Sequence, residues 1–303
     1  MAEWQIDMTN YGLPYQGSKS KIAMWVLRNL PPADTLVDLF AGGGAIAHAA
    51  LLTGRYKHVI ANDITDSVRL FADAIAGKYS DETRWISRED FFAHKDSDPY
   101  VRLIWSFGNK QREYIYGRAI EPMKRALHSA VVQRDYRPMR DEYGIDLAQI
   151  DALPTAYERY TATRRLVKSA RNQRIDLEHL ERLEHLQRLE HLQRLQRLER
   201  LQHLKVSVSD YRDVSIPEGA VIYCDIPYRA TSGYTVSFDH VAFYEWAQMQ
   251  TQPVYISEYD MPPPFVCIAA KERISTASPD NRARYTEKIF TLPEWAQNQN
   301  KLF

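Results

Sequence analysis

Asp225-Ile226-Pro227-Tyr228 follows directly on the apolar run Val221-Ile222-Tyr223-Cys224. A short apolar run reads as a buried strand, and in open α/β sheets ligands bind just beyond the carboxyl ends of strands. Pro227 fixes its own φ and pushes Ile226 toward extended geometry, so a stiff turn delivers a carboxylate and an aromatic ring to one spot. A carboxylate placed there accepts hydrogen bonds or a proton, beside a flat apolar surface. The same four residues also fit an ordinary strand ending in an Asp-Pro turn. Two stretches nearer the N-terminus bear on the choice.

In the first of these, the strand pattern Thr35-Leu36-Val37-Asp38-Leu39-Phe40 runs into Ala41-Gly42-Gly43-Gly44-Ala45 and then an Ala-rich helix, residues 46–52. Strand, glycine turn and helix is a nucleotide-binding arrangement, because glycine lets the backbone approach a ligand with no side chain in the way. The spacing is neither the GxGxxG fingerprint nor a phosphate loop, since no Gly-Lys-Ser/Thr follows. A second strand, Val59-Ile60-Ala61-Asn62-Asp63, ends in an acid 19 residues beyond Gly44. An acid at about that distance can hold two ribose hydroxyls. The other stretch is residues 11–21. There Gly17-Ser18 makes a turn, and Ser18 or Ser20 is expected to cap a helix over residues 22–30. Lys19 and Lys21 oppose the dipole of that helix, which an anionic ligand explains better than stability does; a solvated loop is the alternative.

Together these motifs resemble those of Dam-type (α-class) N6-adenine-specific DNA methyltransferases, which use S-adenosylmethionine (AdoMet). Tyr15-Gln16-Gly17-Ser18-Lys19 is similar to that family's aromatic-x-Gly-x-Lys motif, Asp38 to Gly44 to its glycine motif, Asn62-Asp63 to its ribose-binding acid, and Asp225 to Tyr228 to its DPPY motif. Asp210-Tyr211 resembles the acid-aromatic pair that meets the cofactor adenine. The order (glycine motif, recognition segment, catalytic motif) is that of the α class. The resemblance covers residues 11–70 and 206–260 and thins between them. It implies that AdoMet is held by Tyr15, Lys19, Asp38, Phe40, Gly42, Gly44, Asp63, Asp210 and Tyr211, and that Asp225, Ile226, Pro227 and Tyr228 are catalytic. Ile226 stands where the family has the first Pro. That position contributes a backbone carbonyl, which Ile also has, so the contact survives with a less rigid loop.

The resemblance further implies that the target adenine is flipped out of duplex DNA. Tyr228 would stack on it, Asp225 and the Ile226 carbonyl would accept hydrogens from its amino group, and nitrogen would attack the sulfonium methyl in line. The sulfonium leaves readily, so the enzyme mainly supplies positioning and electrostatics. No covalent nucleophile is needed. Cytosine C5 methylation, which needs a Pro-Cys nucleophile, is therefore disfavoured, and Cys224 reads as apolar filling. Methylation of cytosine N4 or of an RNA base stays open, as does a relative that binds DNA or AdoMet without turnover.

The elements that must position these residues follow from the rest of the chain. With 303 residues and 45% hydrophobic content, the chain can hold one large domain or one domain with an insert. The expected fold is α/β: a Rossmann-like class I methyltransferase sheet with helices on both faces, plus an inserted, mainly helical target-recognition domain. The AdoMet-binding catalytic domain is expected over residues 1–101 and 206–303, with the insert over 102–205. No basic-then-apolar leader and no run of 18 apolar residues is seen, and two cysteines make no framework, so a reducing cytoplasmic compartment is expected. No CxxC or HExxH signals a metal. Net charge is zero, yet residues 102–174 carry 15 Lys+Arg against 8 Asp+Glu. That basic middle suits an anion such as DNA, although a solvated helical face reads the same way. Asn109 and Lys110, in a Gly-Asn turn beside Tyr114 and Tyr116, and Arg134, Arg137 and Arg140 on a helical stretch, are the candidate DNA contacts. Ser87 to Asp90 has capping-box spacing.

Leucine recurs every third residue from Leu177 to Leu204, with Glu, Gln, Arg and His between. The residue types favour helix, but a three-residue step wraps leucine around the whole helix, so this is no zipper. His179, His185, His191 and His203 read as repeat filler rather than metal ligands. Beyond the catalytic motif, residues 229–238 form a Gly-containing loop, residues 240–250 a helix with Phe243 and Trp246 facing the core, and residues 254–257 and 287–290 strands.

Overall fold

In a computed structural model, the structure describes residues 11–13, 15, 17–107, 111–169, 185, 203–228, 238–274 and 284–296. The chain falls into two compact units: Met1–Leu13, Gly17–Ala72 and Leu198–Phe303 form one, and Pro14–Gln16 with Asp73–Arg197 the other. No helix among the described residues is long and apolar enough to cross a membrane.

The first unit is built on a seven-stranded sheet. Its strands are β1 (Thr35–Asp38), β2 (His58–Asp63), β3 (Leu204–Val208), β4 (Val221–Cys224), β5 (Val254–Glu258), β6 (Val266–Ile274) and β7 (Arg284–Thr291). They lie in the order β3-β2-β1-β4-β5-β7-β6. The pairs β3/β2, β2/β1, β1/β4 and β4/β5 are parallel, whereas β7 runs antiparallel between β5 and β6. This is the expected Rossmann-like α/β sheet, extended at one edge by an antiparallel pair. Every residue of β1, β4 and β5 is buried, which is why these strands read as near-continuous apolar runs. Val37, Ile222, Cys224, Phe243 and Ile256 form the centre of one core. Each large side chain buried there contributes roughly 1.5–3 kcal/mol. Phe243 is fully buried and Trp246 packs against the same core, as expected. β6 was not anticipated from the sequence; it is the edge strand beside β7, and Lys271 and Glu272 on it are both exposed.

The helix after the glycine turn, Ala45–Thr53, is buried over most of its circumference. Alanine suits it twice, as the best helix former and as a side chain small enough for close packing. Gly44 starts the helix at φ +73°, and a Cβ there would lie 2.6 Å from the Phe71 ring, so only glycine fits. Leu13 N–H donates to the Gly43 carbonyl at 2.7 Å, and Gly12 N–H to His48 Nδ1 at 3.0 Å, tying residues 11–13 onto the glycine turn. The expected capping of the first helix differs. A 3-10 turn over Ser20–Ile22 leads into Ala23–Arg28 with no side-chain cap. Ser20 Oγ instead accepts from Tyr11 N, and Ser18 Oγ from Ser20 N, so both hydroxyls serve the incoming chain.

The second unit is helical among its described residues, with Arg88–His94, Pro99–Ile104, Glu121–Val131, Arg137–Tyr143 and Ala156–Ser169. Ser87 caps the first of these through the Asp90 N–H, as the spacing predicted. The reading of His185 as filler is overturned. It is 1% exposed and stacks on Trp105 at 4.3 Å between ring centroids. Its Nε2 lies 2.8 Å from His128 Nδ1, and its Nδ1 meets the Tyr116 hydroxyl. His128 Nε2 donates to the Thr83 carbonyl at 3.0 Å, since a carbonyl can only accept. A neutral His128 therefore accepts at Nδ1 from His185 Nε2–H, which leaves His185 Nδ1 to accept from Tyr116. Burial pushes the His128 imidazole down to about 4, consistent with the neutral ring that this chain of bonds requires. A composition-based reading misses this because one repeat histidine out of four carries no local mark. His179 and His191, and the conformation expected for the rest of the leucine repeat, lie outside the described residues, as do residues 229–237 of the expected loop.

Candidate active site

The strand order runs 3-2-1 and then turns to 4-5, so β1 and β4 flank the point where connections leave in opposite directions. Ligands in open α/β sheets bind at that point, beyond the carboxyl ends. Asp38 ends β1, and Asp225 follows β4 directly. Leu39 N–H donates to the Tyr223 carbonyl at 3.0 Å, holding the two strand ends in register where they open.

Around Asp225 the structure assembles a buried network. Lys19 Nζ lies 2.8 Å from Asp225 Oδ1 and 3.8 Å from Glu287 Oε2, and 4.6 Å above the centre of the Tyr228 ring. The Tyr228 hydroxyl donates to Glu287 Oε2 at 2.7 Å. Lys19 and Glu287 are about 5% exposed. One ammonium thus serves two carboxylates. Burial pushes the Asp225 carboxyl above the usual carboxylate range, Lys19 pulls it back, and the Glu287 charge pushes it up again. Burial and the two nearby carboxylates hold the Tyr228 phenol far above its ordinary value, hence neutral. Pro227 is fixed from the other side, where His240 Nε2 donates to its carbonyl at 2.8 Å. Ile226 is 1% exposed and part of the apolar core.

Asp38 Oδ2 accepts from Ala47 N–H at 3.2 Å, at the start of the helix after the glycine turn. Oδ1 is buried and has no hydrogen-bond partner among the described residues. Burial drives its carboxyl well above the usual range, with the Asp225 charge adding to the shift. Asp63 Oδ2 accepts from Gly42 N–H at 2.7 Å, and Oδ1 accepts from Thr65 N–H and Oγ1, both at 2.8 Å. Its carboxyl is also raised by burial, against those bonds. Asn62 holds the strand end that presents Asp63. Its Nδ2 donates to the carbonyls of Leu39 and Ser209, and its Oδ1 accepts from the hydroxyls of Ser207 and Ser209. Phe40 and Tyr211 pack against each other at 5.4 Å between centroids, with Phe238 and Phe243 around them. Asp210 is tied to Arg212 by two bonds of 2.8 Å.

A model of the family "D12 class N6 adenine-specific DNA methyltransferase" matches residues 15–255. The chain belongs to that family. The protein is therefore an adenine-specific DNA methyltransferase, with DNA as its substrate and the methyl-donor chemistry general to methyltransferases. Among solved structures, the chain is similar to the rRNA methyltransferase aviRa from Streptomyces viridochromogenes at 13% identity, over 92% of this chain and 85% of that one, with a TM-score of 0.34. A comparison with curated proteins found no match.

In this methyltransferase, Lys19, Asp38, Phe40, Gly42, Gly44, Asp63, Asp210, Tyr211 and Asp225 to Tyr228 all belong to the first unit. Lys19, whose place in the sequence suggested an anionic ligand or a solvated loop, is buried and paired with Asp225. Tyr15 belongs to the second unit, where it is partly buried. Asn109 and Lys110 lie outside the described residues. Arg134, Arg137 and Arg140 are in the second unit, each against an acid: Asp151, Asp135 and Asp141 respectively. Arg159, within the same basic stretch, is 4% exposed and donates to the carbonyls of Val131, Leu153 and Pro154, so it ties the helices together. Glu287 and His240 were missed. Neither has a sequence neighbour that marks it, and Glu287 lies beyond the residues that the family model matches.

Proposed function

We propose that this enzyme transfers the methyl group of AdoMet to N6 of an adenine flipped out of duplex DNA, with Asp225, the Ile226 carbonyl and Tyr228 meeting the base. The observation that carries the reading is the stiff Asp225–Tyr228 turn at the sheet's switch point, alongside a glycine turn and the unpartnered buried oxygen of Asp38. The residues fit AdoMet. Asp38 Oδ1 offers a buried acceptor to a cationic group, Gly42 and Gly44 leave the turn free of side chains, and Asp63 stands at ribose distance in sequence. Lys19, Phe40, Asp210, Tyr211 and Tyr15 complete the proposed cofactor set. When bound, AdoMet supplies an electrophilic methyl on a neutral-leaving thioether.

The protein's own part is positioning and charge. Asp225, kept ionised by Lys19, accepts a hydrogen from the amino group and makes nitrogen the better electron-pair donor. The Ile226 carbonyl accepts the second hydrogen. A C–N bond forms as the C–S bond breaks, and the extra proton on nitrogen leaves toward Asp225 and solvent. Tyr228 offers its ring for stacking, with its hydroxyl restrained by Glu287. The basic second unit is proposed as the target-recognition part, with Arg134, Arg137 and Arg140 exchanging their exposed acid partners for phosphate. Exposed pairs of that kind are weak, because solvent screens them, and yield readily.

The test is Asp225→Ala. Methyl transfer to DNA is expected to vanish while AdoMet binding, followed by equilibrium dialysis, stays within severalfold of the parent. Full transfer by that variant would remove the assigned catalytic turn.

A further inference from the structure

We infer that Glu287 is a positioning residue for this site: through the Tyr228 hydroxyl and the shared Lys19 ammonium, it sets the orientation of Tyr228 and the charge state of Asp225. The inference rests on the reading of Asp225 and Tyr228 given above. It concerns a residue that lies outside the matched family region, on the antiparallel strand β7.

The geometry carries it. Glu287 is 4% exposed, and its carboxylate stands beside the Lys19 ammonium that also serves Asp225. Lys19 sits 1 Å nearer to Asp225, at 2.8 Å against 3.8 Å, and Glu287 Oε2 takes its short bond from the neutral Tyr228 hydroxyl. Two effects follow. The bond to the hydroxyl pins the far end of the Tyr228 ring, while Tyr259 packs edge-on at 4.6 Å. The second negative charge competes with Asp225 for Lys19, so Asp225 stays a stronger base than a simple ion pair would leave it. The groups facing Asp225 are Lys19, Tyr228, Glu287, Asp38 from the neighbouring strand β1, and Tyr223 from β4 itself. Across β6, Lys271 stands opposite Glu287 in register but is exposed.

Two substitutions separate the effects. Glu287→Gln keeps an acceptor for the Tyr228 hydroxyl and removes the charge. Tyr228→Phe keeps the charge and removes the bond. The first readout is the titration of the Asp225 side-chain carbon by NMR in the full chain, assigned by loss of the signal in Asp225→Asn. The midpoint is expected to fall in Glu287→Gln, to rise in Tyr228→Phe, where the hydroxyl's own hydrogen bond to Asp225 is lost, and to hold in Glu287→Asp. The second readout is the pH profile of methyl transfer, whose acid limb should move down with that midpoint in Glu287→Gln. There kcat is expected to fall about 10- to 100-fold with little change in KM, the scale of a mispositioned catalytic group. An Asp225 midpoint unmoved by Glu287→Gln would overturn the inference. A parent enzyme that transfers no methyl would sink the functional reading instead, and the carbon titration would still decide the coupling.

Discussion

Replacing Lys19 by Met tests the charge arrangement most severely. The methylene stem is kept and only the ammonium is lost, so the packing around residue 19 is disturbed little. The 2.8 Å pair with Asp225 is buried on the lysine side and mostly buried on the other. Removing one partner of such a pair costs about 3–5 kcal/mol when the other stays charged. Asp225 can escape by taking up a proton. Its carboxyl is already raised by burial and restrained by Lys19, so the variant raises it further. An acid whose folded pKa lies above its unfolded value loses stability as pH rises from the unfolded value toward the folded one, because the unfolded chain ionises first. The deficit of Lys19→Met is therefore small near pH 4 and grows toward pH 8. With about 3 kcal/mol lost at pH 8, and a slope of about 2–4 °C per kcal/mol for domains of this general size, the thermal midpoint should fall by roughly 6–12 °C. At pH 5 the fall should be clearly smaller. Scanning calorimetry or dichroism at both pH values reads this. A deficit of equal size at pH 5 and pH 8, or none at either, would refute the pairing.

Three further outcomes follow from the geometry. Gly44→Ala meets both a left-handed φ of +73° and the Phe71 ring 2.6 Å from the new Cβ, so it should cost at least about 1 kcal/mol and weaken AdoMet binding, as read by dialysis. Tyr211→Ala should cost about 3–5 kcal/mol by denaturant unfolding, because the ring is 9% exposed among Phe40, Phe238, Phe243 and Trp246. His128 is depressed from 6.5 to about 4, so the unfolded chain binds its proton first and stability falls through that window by up to about 1.4 kcal/mol per pH unit. Fluorescence of Trp85 and Trp105, which contact both histidines, should record the change, and His128→Asn should lack it.

Much of the sheet was legible because parallel strands buried on both faces leave apolar runs. Val37-Asp38, Ala61-Asp63 and Cys224-Asp225 each show such a run ending in an acid. The glycine turn was legible because left-handed φ values and close packing leave few residues that fit. Glu287 was not. In β7 it sits between Thr286 and Lys288, and only the fold reveals that it turns inward to Tyr228. His185 was lost in a repeat whose composition hides the one ring that packs on Trp105. Lys19 was found, but its pairing was not: Asp225 lies more than 200 residues away in the chain, and nothing local marks the contact. β6 escaped although Val266 to Ala270 is apolar, because the run passes directly into the charged Lys271-Glu272-Arg273 with no turn signal or acid to mark the strand.

The central claim is transfer of a methyl group to adenine N6. Incubation of the full chain with AdoMet carrying a labelled methyl and mixed-sequence duplex DNA, followed by digestion to nucleosides, tests it directly. The account predicts label in N6-methyladenine alone, and none with Asp225→Ala. Label in N4-methylcytosine, or no transfer while AdoMet still binds, would contradict it.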